Sequence, residues 1–319
     1  MYKTQLKTAP LGGTGLEITR VGFGAWALGG GGDRGWGPQD DEESFAAIHR
    51  ALELGVNWID TAAAYGFGRS ERVVGRALEG VTERPHVFTK ASLLDDGTGH
   101  VRHSLKRDSI LREAEASLRR LGIEAIDLYQ IHWPIPGQDI EEGWSALAEL
   151  KEQGLVRHIG VSNFDAAQLR RIQQIAPVET LQPPYSLVDR AAEKEVLPLA
   201  EREGIGVIVY SPMGSGLLTG AMTRERVQQL PADDWRSRDP RFAEPRLSRH
   251  LTLAARLRAV ADRHGVTPGA VAVAWTLRNP AVDGAITGFR RPGQVDPIVT
   301  AAGLELTDQD VNEIEARQR

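Results

Sequence analysis

HVFTKA (86–91), DSILREAEASLRRLG (108–122) and AIDLYQIHW (125–133) form the stretch that decides the fold. The outer two are short apolar runs without strict polar alternation, the pattern of strands buried on both faces. The middle one carries apolar residues at helical spacing. An aspartate at its start suits an N-cap, and a glycine at its end suits a helix C-terminus. Strand, helix, strand predicts a parallel crossover unit.

The same alternation extends in both directions. Upstream lie VGFGAWAL (21–28), amphipathic SFAAIHRALELG (44–55) and VNWID (56–60). Downstream lie IEEGWSALAELKEQG (140–154), VRHIGVSN (156–163), VETLQ (178–182), GVIVY (206–210) and DGAIT (283–287). Eight strands alternating with helices predict an α/β fold, a (β/α)8 TIM barrel with extra helices and loops, as one domain over 1–319. Residues 5–20 predict a β-hairpin ahead of the barrel. Residues 213–248 predict a long connection after the seventh strand, of a length usually functional or mobile. An open doubly wound sheet is the competing fold, and GGGDRG (30–35) formally matches its dinucleotide turn. Trp36, Gly37, Pro38 and Gln39 separate that turn from any helix start, so no helix N-terminus stands there to hold a pyrophosphate.

Composition narrows the function. A chain of 319 residues, 41% hydrophobic and 25% charged, can bury a large core. It has no cysteine, which excludes disulfides and thiolate metal sites. The formal charge of −5, with both signs interspersed, argues against a nucleic-acid partner. No run of about 18 apolar residues suggests a membrane span. MYKTQLKTAPLGG lacks a secretory pattern, so the cytoplasm is expected. His100 and His103 lack the further ligands a metal needs, and none is expected. RHSLKR (102–107) predicts a solvated helix start.

In a barrel of this kind the active site lies at the C-terminal ends of the strands. That rule selects Asp60, with Tyr65 five residues on, Lys90 and His132. A phenol titrates near 10, and an adjacent ammonium lowers that value by favouring the phenolate. Lys90 is placed to do this, Asp60 to hold Lys90, and His132 to bond a substrate oxygen and share the proton work. A proton donor beside a site for developing alkoxide charge is what carbonyl reduction requires. The competing account is a structural Asp60–Lys90 ion pair with Tyr65 and His132 merely packing.

DTAAAYGFGRSERVVGRAL (60–78), IDLYQIHWP (126–134), VRHIGVSNF (156–164), YSPMGSGLLTG (210–220) and ITGFRRPGQV (286–295) together resemble the aldo-keto reductases, from about residue 11 to 306. WGPQDDEESF and QPPYSLVDR resemble a bacterial branch that includes the inositol-catabolism-associated members. The resemblance implies that Asp60, Tyr65, Lys90 and His132 are the catalytic tetrad, with Tyr65 as acid–base residue. It implies that Ser162, Asn163 and Gln182 grip the carboxamide of a nicotinamide on which Tyr210 stacks. Ser211, Met213, Gly214, Gly216 and Leu217 fall on the pyrophosphate segment, where backbone N–H groups would meet phosphate oxygens. Gly288, Phe289, Arg290 and Gln294 fall on the adenosine end. The resemblance places Arg290, with Arg291 beside it, to pair with a 2′-phosphate, which favours NADPH/NADP+ over NADH. Ile298 stands where many members have a polar residue for the adenine. Trp26 falls among the cofactor contacts and, with Trp133, is expected to wall the substrate pocket. Arg236, Arg238 and Arg241 are candidate phosphate contacts if the 213–248 connection folds over the cofactor.

The expected activity is reversible, NADPH-dependent reduction of a small-molecule aldehyde or ketone. The alternatives are a nicotinamide-nucleotide-sensing subunit without turnover, or a metal-dependent barrel enzyme, for which the strand ends supply too few ligands. The oligomeric state is open.

Overall fold

The computed structural model describes residues 6–32 and 34–316; Gln5 of the expected hairpin and Asp33 of the glycine-rich loop lie outside them. A hairpin of β1 (Thr8–Pro10) and β2 (Glu17–Thr19) precedes the barrel. The barrel strands are β3 (Val21–Gly24), β4 (Trp58–Asp60), β5 (His86–Ala91), β8 (Ile126–Ile131), β9 (Val156–Ser162), β10 (Thr180–Gln182), β11 (Gly206–Tyr210) and β12 (Gly284–Gly288). All eight run parallel, and β12 pairs back onto β3 to close the barrel. Between β5 and β8 an unforeseen antiparallel hairpin, β6 (Leu93–Asp95) with β7 (Val101–His103), rises from the strand ends.

The helices between strands are α1 (Asp41–Glu53), α2 (Arg69–Ala77), α3 (Arg107–Leu121), α4 (Ile140–Glu152), α5 (Ala166–Ile172) and α6 (Val196–Glu203). After β11 come α7 (Arg224–Gln228), α8 (Arg246–His264) and α9 (Pro268–Leu277), and after β12 come α10 (Asp296–Val299) and α11 (Asp308–Glu315). Asp40 caps α1 by accepting from Glu43 N–H, so this helix starts three residues before the expected Ser44. The helix α3 has no side-chain cap, contrary to expectation, but ends on left-handed Gly122 as expected.

Two apolar layers result. Between strands and helices lies the main core. Inside the barrel Trp58, Phe88, Leu128, Ile208 and Ile286 stack on Leu11 and Ile18 of the hairpin. Fully burying each such side chain contributes about 1.5–3 kcal/mol. Gly22 makes this layer possible, since a Cβ there would lie 2.1 Å from the Trp58 ring. The hairpin therefore plugs the N-terminal mouth and leaves the C-terminal mouth for the polar residues. Among the described residues no helix is long and apolar enough to cross a membrane.

Candidate active site

Three strand ends bring the four expected residues together. Asp60 closes β4, Lys90 is the penultimate residue of β5, and His132 follows β8. Tyr65 sits on the turn after β4. That turn approaches the segment after β3 so closely that a Cβ on Gly66 would lie 2.2 Å from Gly29 O. Gly66 also has φ 60°, so glycine is required there twice over.

Lys90 Nζ directs its three donors to fixed acceptors: Asp60 Oδ1 at 2.5 Å, Thr61 O at 2.9 Å and Tyr65 Oη at 3.3 Å. Because the ammonium donates to the phenol oxygen, the Tyr65 proton is free to point elsewhere. The other carboxylate oxygen of Asp60 accepts from Gln182 Nε2 at 2.9 Å. The Tyr65 and His132 rings meet edge to face, 5.7 Å between centroids. Burial pushes the Tyr65 phenol well above its usual value, and the Asp60 charge pushes the same way. The direction is opposite to the lowering expected from Lys90, with burial as its largest cause. Burial also lowers Lys90, against Asp60. His132 is driven well down by burial and then by Lys90, His103 and Arg34, which keeps the imidazole neutral. A protonated phenol beside a neutral imidazole offers two donors to one carbonyl oxygen.

The residues expected around a nicotinamide form a connected set beside this group. Ser162 Oγ donates to Gln182 O at 2.8 Å, Asn163 Nδ2 to His132 O at 2.9 Å, and Tyr210 Oη to Asn163 Oδ1 at 2.8 Å. Asn163, Ser211 and Ser215 all adopt positive φ, at 64°, 56° and 57°. Three non-glycine residues in this region, strung along the ends of β9 and β11, hold a sparsely populated backbone conformation that the surroundings must impose.

The segment expected to line a pyrophosphate is a tight turn with its own internal hydrogen bonds. The N–H groups of Gly214, Gly216 and Leu217 donate to Ser211 O, Met213 O and Gly214 O, so they are consumed within the turn. The Ser215 hydroxyl in this turn is buried and without a partner among the described residues, with the Arg236 guanidinium beside Ser215 O. Leu217 and Phe289 are core residues, 0% and 1% exposed, Phe289 packing on Phe23. Ile298 is likewise buried, against Gly269.

Arg290 is committed elsewhere too. Its Nε donates to Gln39 Oε1 at 2.8 Å, Nη1 to Trp36 O at 3.0 Å and Nη2 to Pro38 O. Its backbone N–H donates to Gln294 Oε1. It struts the 36–39 loop, with two N–H groups left over, while Arg291 and Gly288 are exposed.

That loop belongs to a clasp that sequence reasoning missed. Trp36 bridges Asp234 in an antiparallel pair, and Trp235 N–H donates to Gly35 O. Trp26 stacks between Tyr65 and Trp235, centroids 6.1 and 5.4 Å away, and Trp36 meets Trp26 and Trp235 edge-on. Arg236, paired with Asp234 at 2.6 Å, lies over the Trp36 ring, and Arg241, paired with Asp239, over Trp235. The 213–248 connection thus packs on the 28–40 loop across the mouth, with Trp26 at its centre. Trp133 is half-buried at the next strand end. The length of the 213–248 connection and Trp26 at the mouth pointed toward this cover, but not toward its pairing with the 28–40 loop. Among the described residues no cluster of three or more His, Asp or Glu could hold a metal.

With this geometry stand the comparisons. The aldo/keto reductase family pattern matches residues 20–319, and the chain belongs to that family. It is 40% identical to the aldo-keto reductase YhdN of Bacillus subtilis over 304 residues, 94% of this chain and 90% of that one. It is 35% identical to an NADH-specific methylglyoxal reductase of Escherichia coli over 319 residues, 96% of each chain. A solved glycerol dehydrogenase from Gluconobacter oxydans superposes with a TM-score of 0.86 at 38% identity, covering 99% of this chain and 95% of that one. The chain is thus an oxidoreductase of the class that works with nicotinamide cofactors.

Proposed function

We propose that this protein reduces a small aldehyde or ketone to the alcohol, reversibly, with Tyr65 as the proton donor and NADPH as the preferred cofactor. The observation that carries the reading is the Lys90 ammonium, with all three donors fixed and one on the Tyr65 oxygen. The substrate carbonyl oxygen sits between the Tyr65 hydroxyl and the His132 ring. As charge develops on that oxygen, Tyr65 passes its proton to it and Lys90 stabilises the phenolate left behind, with Asp60 holding Lys90. Neutral His132 donates a hydrogen bond without competing as an acid. The bound cofactor supplies the hydride. Asn163, Ser162 and Gln182 offer amide-matching groups for its carboxamide, and the Tyr210 ring a face for stacking. The unpartnered Ser215 hydroxyl and Arg236 suit phosphate oxygens.

Exposed Arg291, helped by the two spare N–H groups of Arg290, supports a 2′-phosphate and hence NADPH. The NADH-specific methylglyoxal reductase of Escherichia coli makes the opposite preference the sharpest alternative. The substrate class is a small carbonyl compound or the matching alcohol. The test is titration of NADPH and NADH into the purified protein with a nitrobenzaldehyde present, following nicotinamide absorbance. NADPH consumption, at lower KM than NADH, is expected. Binding without turnover of any carbonyl would favour a nucleotide sensor, and no binding would remove the cofactor assignment.

A further inference from the structure

Behind the wall of the site a buried carboxylate touches nothing in the proposed chemistry. Glu113, on the inner face of α3, is 5% exposed. Its Oε2 accepts the Ser92 backbone N–H at 3.0 Å, and its Oε1 accepts from Ser109 Oγ at 3.2 Å. Ser92 is fully buried, lies two residues past Lys90 and has φ 87°, a conformation that a non-glycine residue keeps only when its surroundings impose it. Three separate links meet at this residue. Its N–H goes to Glu113. Its hydroxyl oxygen faces the Trp133 backbone, accepting from N–H at 3.3 Å. Its carbonyl accepts from Ser104 N–H, anchoring the β6–β7 hairpin. The adjacent His132 N–H donates to Ala91 O at 3.0 Å.

We propose that Glu113 is a positioning residue: by holding the Ser92 peptide in place from α3, it fixes the joint between the ends of β5 and β8, and so the spacing of Lys90 and Tyr65 from His132. The argument is one of geometry. Beyond the β5–β8 ladder the His132–Ala91 and Ser92–Trp133 links tie these two strand ends, and the second depends on a strained peptide whose N–H is held by Glu113. Misplacing a reacting group by about 1 Å costs up to about a hundredfold in rate. The inference rests on the reductase reading for its kinetic form, but not for its geometric form.

The test compares Glu113→Ala, Glu113→Gln and Ser92→Ala in the full chain. Gln keeps an oxygen for Ser92 N–H and an amide for Ser109; Ala keeps neither. Glu113→Ala is expected to lower kcat for a nitrobenzaldehyde about tenfold to a hundredfold while the Kd for NADPH changes less than about twofold. Glu113→Gln should restore kcat to within about threefold. Ser92→Ala, which removes only the hydroxyl link, should lower kcat in the same direction and stands in if Glu113→Ala does not fold. The His132 ring resonances, recorded by NMR in the same variants, should move in Glu113→Ala and stay in Glu113→Gln. That readout holds even if the wild-type protein turns over no carbonyl, so the two readings fail separately. Unmoved His132 resonances with kcat within twofold of wild type in both alanine variants would overturn the proposal. So would equal loss in the Gln and Ala variants of Glu113.

Discussion

The strand-end cluster and the loop clasp face each other across the same mouth, yet they are built differently. Asp60, Lys90, His132 and Gln182 stand on or directly beside barrel strands whose register is fixed by neighbouring strands on both sides. Trp36, Trp235, Arg236 and Arg290 stand on loops held by one another, through ring contacts and hydrogen bonds to backbone carbonyls. The first region can hold a proton donor to within fractions of an ångström. The second is joined mainly loop to loop, with Trp235 edge-on to buried Phe242 and Arg69 of α2 donating to Leu28 O and Gln39 O as its ties to the body of the barrel. Rigid chemistry beneath an adaptable cover is the division of labour that places specificity in the loops of a barrel.

The largest effect should separate the two regions. Tyr65→Phe is expected to reduce kcat about a hundredfold to ten-thousandfold, the range for removing a general acid, with cofactor Kd unchanged by equilibrium fluorescence. Retained turnover would move the acid away from the strand ends. Trp235→Ala acts on the clasp. It removes stacking on Trp26 and edge contacts with Trp36, each pair contributing about 0.5–1.5 kcal/mol. Substrate KM should rise roughly tenfold with kcat within about threefold, and a collapse of kcat instead would mean that the two regions are one device.

The arginines sharpen the comparison at smaller scale. Arg291→Ala should weaken NADPH several-fold and leave NADH alone, as a 2′-phosphate contact requires. Arg290→Ala should weaken both cofactors and raise substrate KM, because it releases the 36–39 loop as well. If Arg290→Ala proves NADPH-selective while Arg291→Ala does nothing, the strut is a phosphate reader after all.

The smallest effect concerns Glu113. Burial raises its carboxyl to about 7, against Ser92 N–H, the Ser109 hydroxyl, Arg102 on β7 and Arg120 on α3, while Tyr129 on β8 and Glu71 on α2 complete the facing groups. A carboxyl raised above its unfolded value contributes stability that is full below about 4.5 and is lost as pH climbs through about 7. The wild-type Tm minus that of Glu113→Gln should therefore fall, by on the order of a few degrees, between pH 5 and pH 8. A flat difference would contradict a buried, ionising Glu113.

What was legible in the sequence follows the same division. HVFTKA and GVIVY coincide with β5 and β11 to the residue, because a strand buried on both faces must be apolar along its length. The four strand-end residues converge because closure of the barrel leaves them no alternative. VGFGAWAL was overextended: the strand stops at Gly24 and a 3-10 turn carries Trp26 over the mouth. Apolarity there serves the clasp and the core rather than a strand. The β6–β7 hairpin leaves little trace in the sequence, since three-residue strands across an Asp-Gly-rich turn carry too little pattern. The rise of Tyr65 depends on burial from several elements at once, which no local stretch encodes. The phosphate role expected of Arg290 comes from the resemblance and the shape of its guanidinium; its contacts with Trp36, Pro38 and Gln39, about 250 residues away in the chain, could not be read locally.

The most direct test of the central claim follows one hydrogen. Cofactor deuterated at nicotinamide C4, on the face that is transferred, is incubated with the wild-type protein and a nitrobenzaldehyde, and the alcohol is examined by NMR. One deuterium on the carbinol carbon per molecule of cofactor oxidised, and almost none with Tyr65→Phe, is the predicted result. Alcohol formed without deuterium on that carbon, or labelled equally by the Tyr65→Phe variant, would contradict hydride reduction with Tyr65 as its acid.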